Sequence, residues 1–459
     1  MDNSEKYKLL LENEICMESN MAIIPREENF TLSTQYIKKA LSSSKDFKLS
    51  SFDEVKNEDS NTKIDCKIKI DYLGEEFEVE IYSLKASNLQ LHEYGFANNI
   101  DDESLKIACE QENCLAVSMY FGNDKISSFH LQLKILHTIV PNACLAVDFM
   151  SYRLLSPYWL KMTAESAIPP SPDYLYTLHC VFDESKGEDC KYWFHTHGLQ
   201  RCGSVELEML NISAKGYEQM HVLLNMTVKK FLTHPAKEKE RFTIGYDGMG
   251  INLSWLRWEE ALEDFPKGIL GGVTDREGDS NVHSDPGGVL FAVEDGNMIS
   301  PEIYASTLAI NPIYYITTQE TNRMSALAKE RFDLFKEEFQ EKQSVPQKKN
   351  FLKKVFKKKK EEEQDWAFLV KLGLIVDSSN ANDTGDEKEH LWFEVLSINA
   401  NEIEGKLLNQ PYWIAKLNEG DIKKYPLDLL TDWIIYAPDM TYTPDTIYQL
   451  TVKNKEEVY

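Results

Sequence analysis

The chain has 459 residues, 42% of them hydrophobic and 11% aromatic, and its 75 Asp plus Glu outweigh 50 Lys plus Arg to leave a formal net charge of −25. That composition predicts ordinary globular folding in two or three domains and excludes a wholly disordered chain. The negative balance repels phosphate backbones and anionic headgroups, so nucleic-acid binding by the general surface is not expected, whereas a basic protein partner suits it.

The opening MDNSEKYKLLLENEICMESN carries scattered acids and lacks both a basic n-region and an apolar h-region, which predicts a cytoplasmic protein. No apolar stretch reaches the roughly 18 residues of a spanning helix. The longest, Trp366 to Val376, carries Lys371, so no transmembrane segment is expected. All eight cysteines fall at or before Cys202 and none forms a Cys-x-x-Cys pair, which reads as buried thiols in a reducing compartment.

In chain order, residues 34 to 42 read as a helix capped by Ser33 or Thr31. Residues 67 to 70 and 77 to 81 alternate polar and apolar at period two and are joined through Leu73-Gly74-Glu75, which predicts a hairpin with one buried face. From 100 to 150 the pattern is helix, strand, helix, strand. Phe129, Leu133, Leu136 and Val140 form one helical stripe and Pro141 stops it. Strands follow at 174 to 182, 191 to 197 and 204 to 210, then a helix over about 214 to 232. Residues 242 to 334 hold further strands, a Gly-rich loop and a final helix with Met324, Leu327 and Phe332.

The stretch from 336 to 365 is charged and poor in apolar residues, so it reads as a linker. The expected organisation is an α+β region over 1 to 335, with a subdomain break near 85 to 110, then the linker, then a small β-rich domain over 366 to 459. The fold class is α+β, with mixed and antiparallel sheets, packed helices and a small β-rich C-terminal domain.

Period two puts His195 and His197 on one face of their strand, and likewise Glu206 and Glu208 on the next, while His179 sits on the strand before. If these strands are neighbours, His195, His197, Glu206 and Glu208 are candidate ligands for a divalent metal, with a spare carboxylate as general base. The bland alternative has the imidazoles donating to backbone carbonyls and the glutamates in solvent. Cys202, five residues after His197, invites a Cys-His nucleophile or, more simply, a buried thiol.

Asp275, Glu277, Asp279, Asn281, His283 and Asp285 place ligand-type side chains at alternate positions, but the glycine and terminal glutamate of a calcium loop are missing, so a solvated loop is the plainer reading. Gly245, Gly248 and Gly250 run in the wrong order for a dinucleotide fingerprint and read as a turn. Eight lysines between Lys348 and Lys360, among them Lys353, Lys354, Lys357 and Lys358, flank Phe351, Leu352, Val355 and Phe356. A helix there would offer a partner contact or peripheral attachment to an anionic membrane, against the alternative of a solvated tether.

The MAIIP segment at 21 to 25, WFHTHGLQRCGSVELE at 193 to 208 and DREGDSNVHSDPGGVLF at 275 to 291 resemble the bacterial family named domain of unknown function 4026, over about 15 to 335. The last domain resembles the family named domain of unknown function 2314, over about 366 to 450. That likeness rests on EHLWFE at 389 to 394, Gly405-x-Leu407-x-Asn409-x-Pro411, Gly420-Asp421 and Asp432-Trp433. Neither resemblance implies an activity. Such domains are similar to ones found beside toxin-immunity genes, which implies a binding or inhibitory module acting on a protein such as a toxin. The competing expectation is a metal-dependent hydrolase built on the two histidines and two glutamates.

Overall fold

The computed structural model describes residues 2–27, 30, 32–55, 65–94, 96–97, 100–245, 250–278, 281–311, 315–343, 366–377 and 388–450. The chain divides into two compact units, Met1–Ile316 and Thr317–Tyr459.

The first unit opens with helix α1 (Asn3–Leu11) and then builds a first sheet. Its strands are β1 (Ser19–Pro25), β2 (Lys48–Glu54), β3 (Asp65–Tyr72), β4 (Glu75–Lys85), β5 (Phe96–Ala97), β6 (Asn113–Met119), β7 (Ala143–Asp148) and β8 (Arg153–Leu155), in the order β2-β3-β4-β6-β1-β7-β8-β5. Helices α2 (Thr34–Ser42), α3 (Asp102–Glu110), α4 (Lys125–Ile139) and α5 (Pro157–Glu165) pack on it. Ser33 caps α2 by accepting from the Tyr36 amide, as its sequence predicts. Leu73 and Gly74 both take positive φ (52° and 86°), the geometry of a tight turn whose twist matches the flanking strands β3 and β4.

Those hairpin strands bury Ile68, Ile70, Val79 and Ile81 and leave their lysines and glutamates to solvent. The central strands differ. Met21 to Ile24, Leu115 to Val117 and Cys144 to Val147 are buried without a break because the sheet is covered on both faces, which is why these segments read as continuous apolar runs. Direct pairing of β4 with β6 also removes the expected subdomain break near 85 to 110, since residues on either side of it share one sheet.

The second sheet contains β9 (Thr177–Phe182), β10 (Lys191–His197), β11 (Glu206–Ser213), β12 (Phe242–Ile244), β13 (Ile251–Arg257), β14 (Gly287–Glu294) and β15 (Asn297–Ile299). Their order is β12-β13-β14-β11-β10-β9, with β15 on β14, and only β11 with β14 is parallel among these pairs. Helix α6 (Tyr217–Phe231) lies against β11, where Phe194 meets Tyr217 and His221. Trp193, Leu210, Leu256, Ala261, Val289 and Phe291 form a separate core that includes the short helix α7 (Trp258–Ala261). Helix α8 (Ala305–Ile310) closes the unit.

The two sheets are bolted together by a fully buried ion pair. Arg201 lies between β10 and β11 and donates to both oxygens of Asp148 at the end of β7, at 2.9 and 2.7 Å. The same guanidinium donates to Ser19 Oγ and the Leu175 carbonyl and stacks over Phe121 and Phe129.

The second unit is a six-stranded antiparallel sheet. Helices α9 (Thr318–Glu330) and α10 (Phe332–Gln343) come first, followed by β16 (Ala367–Ile375), β17 (Lys388–Ile398), β18 (Glu402–Leu407), β19 (Ile422–Pro426), β20 (Leu430–Tyr436) and β21 (Thr441–Tyr442). Phe335 packs on Phe368 and Trp433, and the Trp433 indole donates to the Ala328 carbonyl. The sequence-based limit at 335 therefore falls inside α10, and α9 and α10 belong with the downstream sheet rather than with the region before them. The physical reason is that their apolar faces find partners beyond the charged segment, a pairing that local composition does not reveal.

The lysine run with Lys353, Lys354, Lys357 and Lys358 lies outside the described residues, as does Gly248 of the glycine turn. Among the described residues no helix is long and apolar enough to cross a membrane.

Breaking the Arg201–Asp148 pair strands a charge in the interior, so Arg201→Ala or Asp148→Ala is expected to lower unfolding free energy by about 3–5 kcal/mol. Urea unfolding should show the double variant costing far less than the sum of the two. Additive losses would mean that the two side chains do not act as one unit.

Candidate metal centre

The site begins with the pairing of β9 and β10. His195 stands directly opposite His179, and His197 opposite Thr177. Period two then sets His179, His195 and His197 on one face, the side of the sheet that also carries Trp193. Ring centroids are 5.4 Å apart for His179 and His195, 4.5 Å for His179 and His197, and 4.9 Å for His195 and His197. Each residue offers one ligand nitrogen, and these three atoms lie within 4.8 Å of one another.

Two aromatic walls enclose the trio. Trp193 lies tilted 4.2 Å from His195, and Tyr152 sits edge-on 4.8 Å from His197. Tyr152 occupies the β7–β8 turn with φ 51°, a conformation held beside the buried ion pair because Asp148 also accepts from the Met150 amide and the Ser151 hydroxyl. Ser151 in turn accepts at its carbonyl from the Thr177 hydroxyl at 2.6 Å. That leaves the Thr177 oxygen as acceptor for His179 Nε2, 3.1 Å away, and so fixes the His179 proton on Nε2 and the basic lone pair on Nδ1.

His195 is 3% exposed and His197 8%. Burial, reinforced by the neighbouring imidazoles, drives the pKa of both far down, and that of His179 falls to about 4 for the same reasons. All three are therefore neutral near pH 7, which is the ligating form of imidazole. His195 Nδ1 is buried and has no hydrogen-bond partner among the described residues.

A fourth imidazole arrives from the polar loop 275–285. His283 Nε2 lies 3.2 Å from His195 Nε2, and its ring packs 4.9 Å from Trp193. The alternating polar residues of this loop serve mostly to fold it. Asn281 accepts from the His283 amide and donates to the carbonyls of Asp275 and Glu277, and Asp275 accepts from the Gly271 amide. Asp279 lies outside the described residues. Helix α1 then straps the loop down: Asn3 donates to the Ser284 carbonyl, Lys6 pairs with Asp285 at 2.5 Å, and the Tyr7 hydroxyl donates to the Gly287 carbonyl at 2.9 Å.

The two glutamates expected as ligands are engaged elsewhere. Glu206 Oε1 accepts from the backbone amides of Gly198, Leu199 and Gln200, and Oε2 accepts from the Thr196 hydroxyl at 2.7 Å. It staples the β10–β11 turn, where Gly198 has φ 114° and a side chain would collide with the Leu175 carbonyl oxygen. Glu208 is held bidentate by Arg276 at 3.0 and 2.6 Å and also accepts from the Trp193 indole at 2.8 Å. Strand register brings the residues together, but the end of β10 and its turn consume Glu206, and Arg276 with Trp193 consumes Glu208. Cys202 is buried against the Gly198 carbonyl, and burial pushes its thiol up to about 12, in keeping with the buried-thiol alternative.

A family model described as protein of unknown function (DUF4026) N-terminal matches residues 19–170, and its C-terminal counterpart matches residues 178–291. The chain belongs to the DUF4026 family. A model described as an uncharacterized protein conserved in bacteria (DUF2314) matches residues 318–457. In this DUF4026 chain the two halves of the family coincide with the two sheets of the first unit, and the DUF2314 match starts one residue after the second unit begins. Neither a curated protein nor a solved structure matches the chain.

Burial raises the Glu206 carboxyl to about 7, with its four hydrogen bonds pulling the other way. A folded-state pKa above the unfolded one means that the folded protein keeps a proton which the unfolded chain has released between about pH 4.5 and 7. Stability from this group is then greatest at the acidic end of that window and declines as pH rises through it. Urea unfolding should show the wild type losing less, or gaining more, relative to Glu206→Gln at pH 5 than at pH 7, and a pH-independent difference would refute the assignment.

Proposed function

We propose that the first unit is a transition-metal-binding domain, with zinc as the best-fitting ion, held by His179, His195 and His197. The observations that carry this reading are three imidazoles whose ligand atoms lie within 4.8 Å and a buried His195 Nδ1 with no hydrogen-bond partner among the described residues. An unmet polar atom in a dry interior costs about 1–3 kcal/mol, and a cation bound to its lone pair removes that cost. A neutral all-nitrogen donor set suits zinc and its late first-row neighbours, and disfavours calcium or magnesium, which take oxygen.

Three imidazoles leave a fourth position for water, the arrangement of many hydrolytic zinc sites. The hydrolase reading nevertheless loses the general base it needed, because Glu206 and Glu208 are both committed. The geometry supports ion binding and supplies no carboxylate for hydrolysis from that pair.

The net charge of −25 supports a second, compatible reading, in which the protein binds a basic protein partner in the manner of a toxin-neutralising factor. Its signature is an association rate that falls steeply as salt rises. Salt-independent association would remove charge as the basis of such a complex.

The metal reading is tested by elemental analysis of purified protein together with zinc titration calorimetry. One ion per chain is expected, with thermal stability reduced by a chelator and restored by zinc. His195→Ala and His197→Ala should each weaken binding by about 100-fold or more. A wild-type protein that takes up no ion, or variants that retain it with undiminished affinity, would end the proposal.

A further inference from the structure

We infer that His283 is a positioning residue for the metal centre, accepting the Nε2 hydrogen of His195 and so presenting His195 Nδ1 to the ion. This rests on the three-histidine reading and adds to it a second layer that strand register alone does not supply.

The two Nε2 atoms face each other at 3.2 Å, a hydrogen-bond distance that requires one of them to carry the hydrogen. If His283 donated, the His195 proton would sit on Nδ1, a buried N–H with no acceptor among the described residues. If His195 donates, its Nδ1 carries a lone pair instead, which a bound ion would satisfy. On His283 the remaining proton then sits on Nδ1 of a half-buried residue, where water can accept it. Only the second assignment leaves no buried N–H unmet, and it matches the general habit of metal-bound histidines, which donate their other nitrogen to a fixed acceptor.

The acceptor is held rigidly. The His283 carbonyl takes a hydrogen bond from Arg276 at 2.8 Å, and the Asn281 side chain accepts from its amide at 3.0 Å. The same Arg276 clamps Glu208, which stands opposite His195 in the sheet and accepts from Trp193, the ring tilted against His195. The next residues, Ser284, Asp285 and Gly287, are tied to α1 through Asn3, Lys6 and Tyr7. These contacts set where the His283 ring can lie without involving any of the three ligand residues.

The test is cobalt(II) titration of the full chain, read by visible absorption and competition affinity, for the wild type, His195→Ala, His283→Ala and His283→Gln. His283→Ala is expected to weaken binding by about 10- to 100-fold while the ligand-field bands keep their positions, since the same three nitrogens remain. His283→Gln should recover part of the loss, because its amide oxygen can accept the same hydrogen. Unchanged affinity in His283→Ala would overturn the inference, and so would shifted bands showing a lost nitrogen, which would make His283 a direct ligand. Failure of the wild type to bind cobalt would instead sink the three-histidine reading itself, and circular dichroism of each metal-free variant separates either result from misfolding.

Discussion

The first unit depends on an arginine that never meets solvent. Arg201 and Asp148 are both fully buried, and moving two such charges out of water costs several kcal/mol per ion before any contact repays it. The pair persists because its hydrogen bonds do double duty: Arg201 also reaches Ser19 in the first sheet and Leu175 at the entry to the second, while Asp148 also caps the turn that follows it. Lost attraction to water is thus replaced by bonds that fix where one sheet stands relative to the other. Tyr152, Ser151 and Thr177 hang from this joint, and through them one wall of the imidazole cluster and the tautomer of His179 are set.

From that constraint follows the chemistry available to the cluster. Four imidazoles within a few ångström of one another, with centroids from 4.5 to 5.4 Å for most pairs, cannot hold several protons at once. Burial lowers all four, and for His179, His195 and His197 repulsion from neighbouring imidazoles acts in the same direction and holds them neutral. Neutral imidazoles need hydrogen-bond partners for one nitrogen each and leave a lone pair on the other. In the proposed metal centre a cation would take lone pairs of His179, His195 and His197 beside the Trp193 and Tyr152 rings.

Much of this was legible from residue order. Period two set His195 and His197 on one face, and the short link between 182 and 191 made His179 their neighbour, because antiparallel strands joined by a few residues tend to pair. The hairpin through Leu73 and Gly74 and the Ser33 cap were equally local and equally readable. What was hidden lies at long sequence separation. Arg276 reaches Glu208 across 68 residues and His283 reaches His195 across 88, and neither partnership leaves a trace in spacing. Glu206 and Glu208 looked like ligands because register was the sole guide, whereas Glu206 is taken by the turn of its own hairpin and Glu208 by the distant Arg276. The same blindness put α9 and α10 in the wrong unit, since the ring of Trp433 that receives them lies about a hundred residues downstream.

The histidines came from strands and the loop that brings His283 from a string of acids, and these two sources differ in what they ask of the fold. A strand places its side chains by pairing, so His179, His195 and His197 stay aligned as long as the sheet exists. Loop 275–285 has no such scaffold and must be folded by its own polar groups, which explains why Asp275 and Asn281 are spent on backbone amides and carbonyls rather than on a ligand. The clamp from α1 adds contacts from the far end of the sequence, at separations near 280 residues. A charged run that resembles a cation-binding loop in composition therefore works as a bracket for one imidazole, and Asp275 and Asp285 are consumed in holding that bracket shut.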